Sequence, residues 1–326
     1  MAEKTDKLLT YDPRGTFWAA AGENPRQRLQ LAARLVAARR ELLQDSEARQ
    51  DPVRLDPSAP VQATLLDLPD AILGQYEMHR TPASRPTTML AQVLQTADRL
   101  RESGDRVLVL ARGPAILGPK ALVDACCDPY FNELSRAERG SRPRLTFVGH
   151  HLDNDAIEGL RRLLGNGQVA RRLENRWSMI VASRSADDPK SLVGLRHLLA
   201  ILQASCRSPA EIAKRVVTIS DLPARREELA SEELGCRDTF SLPPRVSDRC
   251  AVLSAMGLLP AAVVGLNVVR FLEGARRMSQ HFRTAAPEQN AILRHAAVRY
   301  RMRHAAATRC VLRIWSRALE TPVSYT

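Results

Sequence analysis

No apolar run in this 326-residue chain approaches the ~20 residues that a membrane-spanning helix needs, so no membrane partner is expected. The polar start Met1-Ala-Glu-Lys-Thr-Asp-Lys7 lacks a signal-peptide core, which makes the cytoplasm the expected location. Lysine is scarce, standing only at Lys4, Lys7, Lys120, Lys190 and Lys214, so the basic charge is almost all arginine. Aromatic residues are scarce too, at 4%. No helix-turn-helix, zinc-finger or aromatic RNA-binding pattern accompanies the arginines. The net charge of +12 therefore reads as a solvated basic surface, with no nucleic-acid partner expected. The six cysteines, Cys126, Cys127, Cys206, Cys236, Cys250 and Cys310, form no C-x-x-C pair. That argues against a zinc site and leaves reduced, structural thiols.

What is present is an alternation of short apolar strands and helices. Strands are expected at 107–111, 145–149, 177–183 and 215–220, with an extended piece at 238–242. Helices are expected around 119–127, near 155–164, at about 189–204 and near 223–234; the third carries a stripe of Leu192, Leu195, Leu199 and Leu202. Ser208-Pro-Ala-Glu211 is a capping box with proline at the first helical position. Single buried strands separated by helices imply an α/β fold, a parallel sheet covered on both faces. Upstream, Arg26 to Leu43 places Leu29, Ala33, Val36 and Leu43 near one helical face. Asp51 to Pro60 is a proline-rich connector, Leu68 to Tyr76 a short helix, and Thr87 to Leu100 an amphipathic helix with Leu90, Val93, Leu94, Ala97 and Leu100 on one stripe. Downstream, Val252 to Val264 reads as a buried helix pair broken at Pro260, with Gly274 ending the next turn. Pro287 to Arg303 is an amphipathic helix leading to a strand at 308–315.

Two loops carry candidate chemistry. Arg106 to Lys120 reads as a strand, a turn from Gly113 to Gly118, and a helix starting near Pro119. A strand passing through glycine into a helix N-terminus can hold a phosphate with backbone N–H groups and the helix dipole. It can equally be a plain connection. Strand 177–183 ends in Ser183, Arg184 and Ser185, whose hydroxyls and guanidinium suit a phosphate as well as they suit a capped surface turn. In a parallel sheet both loops fall on the same carboxyl edge, where ligands bind in open α/β folds. His150-His151 has no third ligand in view and reads as a polar loop pair; His295 and His304 read as helix-surface residues.

These segments resemble the glucose-6-phosphate isomerase family, built from two sugar-isomerase (SIS) domains. The Gly113 segment is similar to the family's strand–GIGGS–x-x-G–helix phosphate loop, and Leu145 to Asp155 to its next strand and loop. Val181-Ala-Ser-Arg-Ser185 resembles its Ser-Lys-Ser/Thr phosphate loop. Ser247-Asp-Arg-Cys-Ala-Val-Leu-Ser-Ala-Met-Gly-Leu-Leu-Pro260 resembles its G-G-R-[YF]-S-V-x-[ST]-x-V-G-L-L-P motif, and the likeness runs from Tyr11-Asp-Pro13 to about Leu319. The resemblance implies a three-layer αβα sandwich. It further implies a sugar-phosphate ligand held by Gly113, Ser183, Arg184 and Ser185, a catalytic Arg249, no cofactor or metal, and a homodimer. The implied reaction interconverts glucose 6-phosphate and fructose 6-phosphate, a step of glycolysis and gluconeogenesis.

The departures from the motifs are specific. Arg112, Pro114 and Ala115 stand where the first loop has isoleucine, the second glycine and serine. Pro114 removes an N–H and Ala115 a hydroxyl. Asp187, Asp188 and Lys190 replace threonines and a glutamate after the second loop, and Ser247-Asp248 replaces the glycine pair. The family's catalytic glutamate, histidine and lysine would fall beyond Trp315. The expected organisation is a helical extension at 1–88, a first SIS domain at 89–245, a helical linker region at 246–304, and a truncated start of a second SIS domain at 305–326. The expected activity is an impaired or absent isomerase, the alternative being a non-catalytic sugar-phosphate-binding or interaction remnant.

Overall fold

Five short strands set the frame. In the computed structural model of the chain, which describes residues 25–50, 65–78, 88–149, 153–165, 167–182, 189–220, 238–243, 246–304 and 313–321, these are β1 (Arg106–Leu110), β2 (Arg144–Val148), β3 (Trp177–Ala182), β4 (Val216–Ser220) and β5 (Asp238–Ser241). They lie in the order β2-β1-β3-β4-β5, every neighbouring pair parallel. Strands β3 and β4 are buried at every position, as continuous apolar runs must be in a sheet covered on both sides. The chain runs from β1 outward to β2 and then crosses back to β3, so the strand order reverses between β1 and β3. Leu110 pairs with Val181, which brings the carboxyl ends of these two strands side by side.

The helices are α1 (Pro25–Gln50), α2 (Leu68–Met78), α3 (Met89–Ser103), α4 (Pro114–Cys126), α5 (Asn154–Leu163), α6 (Pro189–Ser205), α7 (Pro209–Arg215), α8 (Ala255–Val263), α9 (Val268–Thr284) and α10 (Ala291–His304). One sheet face, with Leu108, Leu110, Trp177, Met179, Val181 and Val216, packs against Leu195, Leu198, Leu199 and Leu202 of α6, with Leu160 of α5 and Ile212 of α7 alongside. Each fully buried leucine there contributes roughly 1.5–3 kcal/mol. The alternate residues Val107, Val109, Ile180, Val217 and Ile219 are buried on the other face, where α3 touches β3 and packs with α8, itself against α4. The α/β architecture is thus three-layered, with the parallel sheet in the middle.

Two compact units divide the chain: residues 72–268 with 314–326, which hold the sheet, and residues 1–71 with 269–313. In the latter α1 packs against α10, and Arg39 donates to the carbonyl of Ala285 at 2.7 Å. Asn290, wholly buried, caps α10 by accepting from the Leu293 N–H at 3.1 Å. Leu29 of the expected stripe is 75% exposed, whereas Leu31 is buried. The helix is turned by packing that its own sequence does not record.

Four other expectations change. Helix α4 starts at Pro114, because proline at the first position is pre-set for a helix, and Pro119 lies buried inside it. Pro260 likewise sits within a single helix, α8, while Asp248–Leu253 form a separate 3₁₀ turn. Helix α8 survives the missing N–H because both its ends are capped. The Ser254 hydroxyl accepts from the Met256 N–H, and Gly265, at φ +88°, ends the helix with Gly265→Ala262 and Leu266→Ala261 backbone bonds. Helix α9 runs through Gly274 without ending there. Of the strand expected at 308–315, residues 313–315 have no strand structure; 308–312 lie outside the described residues, as do the connector 51–60 and the helix expected at 223–234. The residues after it, 317–321, pack on α4. The Thr321 hydroxyl joins Lys120 and Asp124 of α4, and Arg317 stacks 5.4 Å from the Tyr130 ring.

At the amino end of β1, Asp105 is 1% exposed and accepts from three guanidiniums: Arg136 at 2.8 Å, Arg139 at 2.6 and 2.8 Å, and Arg144. It ties the 128–142 turns to the sheet. Gly104 beside it is needed for space, since a Cβ would stand 2.5 Å from the Arg176 carbonyl oxygen.

Candidate functional site

The first loop leaves β1 at Leu110, and Gly113, at φ +55° and ψ −131°, turns the backbone into α4 as its N-cap. That positive φ is available to glycine at little cost, which is why Gly113 stands there. Gly149 closes the same edge from β2. Its φ is +102°, and a Cβ on it would stand 2.6 Å from the Ala111 carbonyl oxygen. The Ala111 N–H bonds to the Val148 carbonyl at 3.1 Å, so the ends of β1 and β2 are fastened together.

What the turn offers an anion is limited. Pro114 has no N–H; the Ala115 N–H bonds back to the Arg112 carbonyl at 3.2 Å, and the Ile116 N–H to the Gly113 carbonyl at 3.3 Å. The helix end keeps its dipole, but these donors are engaged within the turn.

Arg249 lies on the 3₁₀ turn Asp248–Leu253, exposed, and that turn packs on α4. Gly118 makes the contact close: a Cβ there would be 3.0 Å from Cβ of Val252. Gly257 does the same for α8, since a Cβ would stand 2.7 Å from the Val252 carbonyl carbon. The small residues of the 247–260 motif therefore serve packing, and they hold the Arg249 turn against the helix that Gly113 opens. Ser183, Arg184 and Ser185 lie outside the described residues, as do His150, His151, Asp187 and Asp188; β3 ends at Ala182, one residue short of them.

An apolar cavity of about 380 Å³ opens by the same edge, lined by Leu110, Val148, Gly149, Ile157, Leu160 and His197. Its lining suits a hydrocarbon surface and not a phosphate, so the candidate site remains with the loops. Among the described residues no group of three or more His, Cys, Asp or Glu side chains is placed to hold a metal ion, and no helix is long and apolar enough to cross a membrane. Gly149 is the positioning residue that sequence reading passed over. Its signal was a lone glycine directly after a strand, a pattern too common to single out.

Comparison with known proteins gives the fold a lineage. The phosphoglucose isomerase profile matches residues 166–325. A glucose-6-phosphate isomerase of Heliobacterium modesticaldum is 28% identical over 218 residues, 67% of this chain and 46% of that protein. One of Shouchella clausii is 28% identical over 209 residues, 64% of this chain and 44% of that protein. The chain thus spans about half the length of the curated relatives it matches. A crystal structure of a hypothetical protein from Thermus thermophilus shares the fold, with a TM-score of 0.59 and 24% identity over 84% of this chain and 55% of that one. Sequence motifs, parallel topology and these matches agree: the chain is similar to the glucose-6-phosphate isomerase family.

Proposed function

We propose that this chain binds a sugar phosphate at the carboxyl edge of its sheet, as an impaired relative of the isomerases. The observation that carries the reading is the reversal of strand order between β1 and β3, with Gly113 opening α4 at that point. In open α/β sheets ligands bind at such a crevice. Ser183, Arg184 and Ser185 follow β3 in sequence and would grip the phosphate, Arg184 through its bidentate fork. In the family's reaction a proton moves between C2 and C1 through an enediol while an arginine stabilises the developing negative charge, the role Arg249 would have. A cytoplasmic homodimer is the assembly that goes with this reading.

Impairment rests on the first loop. With Pro114 lacking a donor and the next two N–H groups engaged, the substrate phosphate loses one of its two anchors. Two carboxylates, Asp187 and Asp188, follow the other in sequence. The same features support a second reading, a sugar-phosphate-binding protein without turnover.

Calorimetry with glucose 6-phosphate and a coupled isomerase assay test both. The expected results are weak binding, tightened by Pro114→Gly with Ala115→Ser and abolished by Arg184→Ala, and turnover at background. Ordinary turnover of ~1–10³ s⁻¹ refutes impairment. Tight binding indifferent to Arg184→Ala refutes the placement of the site.

A further inference from the structure

The opposite edge of the sheet holds a second concavity. Strand β1 is five residues long and parallel to β3, so this edge lies about 16 Å from the carboxyl end of β1, where the Gly113 turn begins. Here the first residues of β1 and β3, Arg106 and Trp177, stand in register, and the chain around them borders an open basin of about 690 Å³. Five arginines line it, Arg106, Arg162, Arg171, Arg172 and Arg176, against one carboxylate, Glu174. Arg171 and Arg172 are exposed and make no ion pair among the described residues. The Trp177 indole N–H, in the wall, is buried without a hydrogen-bond partner among the described residues.

The charge is balanced only in part from beneath: the Asp105 and Glu133 carboxylates act on Arg106, whose guanidinium also donates to the Thr146 hydroxyl at 2.8 Å. Asp105, the buried carboxylate at this end, is already shared by Arg136, Arg139 and Arg144. Burial first, then the neighbouring Arg144 charge, holds the Arg106 guanidinium below its ordinary pKa. An anion in the basin would relieve that repulsion.

The geometry points to a polyphosphate-binding site at the amino edge of the sheet, taking a small ligand with two or more linked phosphates through Arg106, Arg171, Arg172 and Arg176. The basin's volume is that of a small-molecule site. Several planar forks lining one basin, from β1 and from the 171–176 segment, suit oligophosphate oxygens better than a single carboxylate. The one aromatic in the wall, Trp177, is 2% exposed and offers no face for a base to stack on. The determinant is therefore the phosphate chain, and neither a nucleobase nor a nucleic acid strand. The site is separate from the sugar-phosphate site proposed above.

Calorimetry of the full chain with inorganic tripolyphosphate tests it, with ATP, AMP and a single-stranded RNA 20-mer as comparison ligands. The expected result is comparable binding of tripolyphosphate and ATP, binding of AMP weaker by about tenfold or more, and loss of affinity as salt rises. Arg171→Ala with Arg172→Ala, both exposed side chains, should weaken tripolyphosphate about tenfold or more. Arg196→Ala, exposed on α6 outside the basin, and Arg184→Ala should leave it unchanged. No binding of tripolyphosphate, equal loss in Arg196→Ala, or ATP or RNA binding far above tripolyphosphate overturns the proposal. Loss only in Arg184→Ala would assign the phosphate to the other edge and overturn it too.

Discussion

Replacing Asp105 with asparagine tests how the amino end of the sheet is held. The carboxylate is 1% exposed and bonded to three guanidiniums, of which Arg139 is wholly buried while Arg136 and Arg144 keep 19% and 27% of their side-chain surface. Removing the anion leaves a buried cation without a counter-charge, which costs about 3–5 kcal/mol where one partner of a buried pair is lost. Two features reduce it. Arg139 still donates to the carbonyls of Leu134 and Arg142, and asparagine keeps one acceptor oxygen. The expected loss is therefore about 3 kcal/mol, the low end of that range. For a unit of roughly 200 residues this lowers Tm by about 6–12 °C. Urea unfolding followed by far-UV circular dichroism measures it. In an Arg139→Met background, where no buried guanidinium remains to be stranded, the same change should cost only about 1 kcal/mol. A loss under about 1 kcal/mol in the parent chain, or an equal loss in both backgrounds, would show that Asp105 is not the counter-charge this cluster depends on.

Gly257→Ala places a methyl group against the Val252 backbone, 2.7 Å from its carbonyl carbon, where no side-chain rotation can make room. It should destabilise the sheet-bearing unit by about 3 kcal/mol in urea unfolding, and a loss below about 1 kcal/mol would show that α8 can move aside. The adjacent thiols should differ in reactivity: Cys126 is exposed, whereas burial and then the neighbouring Cys126 push the Cys127 thiol up to about 11. At pH 8 only about 0.1% of Cys127 is then thiolate, so iodoacetamide followed by mass spectrometry should find Cys126 modified first, and equal rates would refute the burial argument.

Much of the sheet was legible because its signals are local. Val107 to Leu110, Trp177 to Ala182 and Val216 to Ser220 are apolar, β-branched runs between helices, and such runs have few homes other than a covered parallel sheet. Gly113 was legible for the same reason, since a glycine between a strand and a helix marks a turn whose φ disfavours other residues. Prolines misled. Pro119 and Pro260 read as helix boundaries, yet both lie inside helices whose caps and packing outweigh a missing hydrogen bond.

Sequence alone was enough for the fold class, the helix cap at Ser208, the turn at Gly113 and the family resemblance, because each depends on residues within a few positions of one another. The tertiary structure alone decided what depends on distant segments meeting. Gly149 had to face the Ala111 carbonyl, and Gly257 had to admit the Val252 backbone. Asp105 gathered arginines from three places along the chain, and the five arginines of the amino-edge basin met only when β1 and β3 paired in register. Sequence spacing carries no record of such encounters: a parallel strand pair joins residues separated by whole helices, and which charges then share a concavity is settled by the order of the strands.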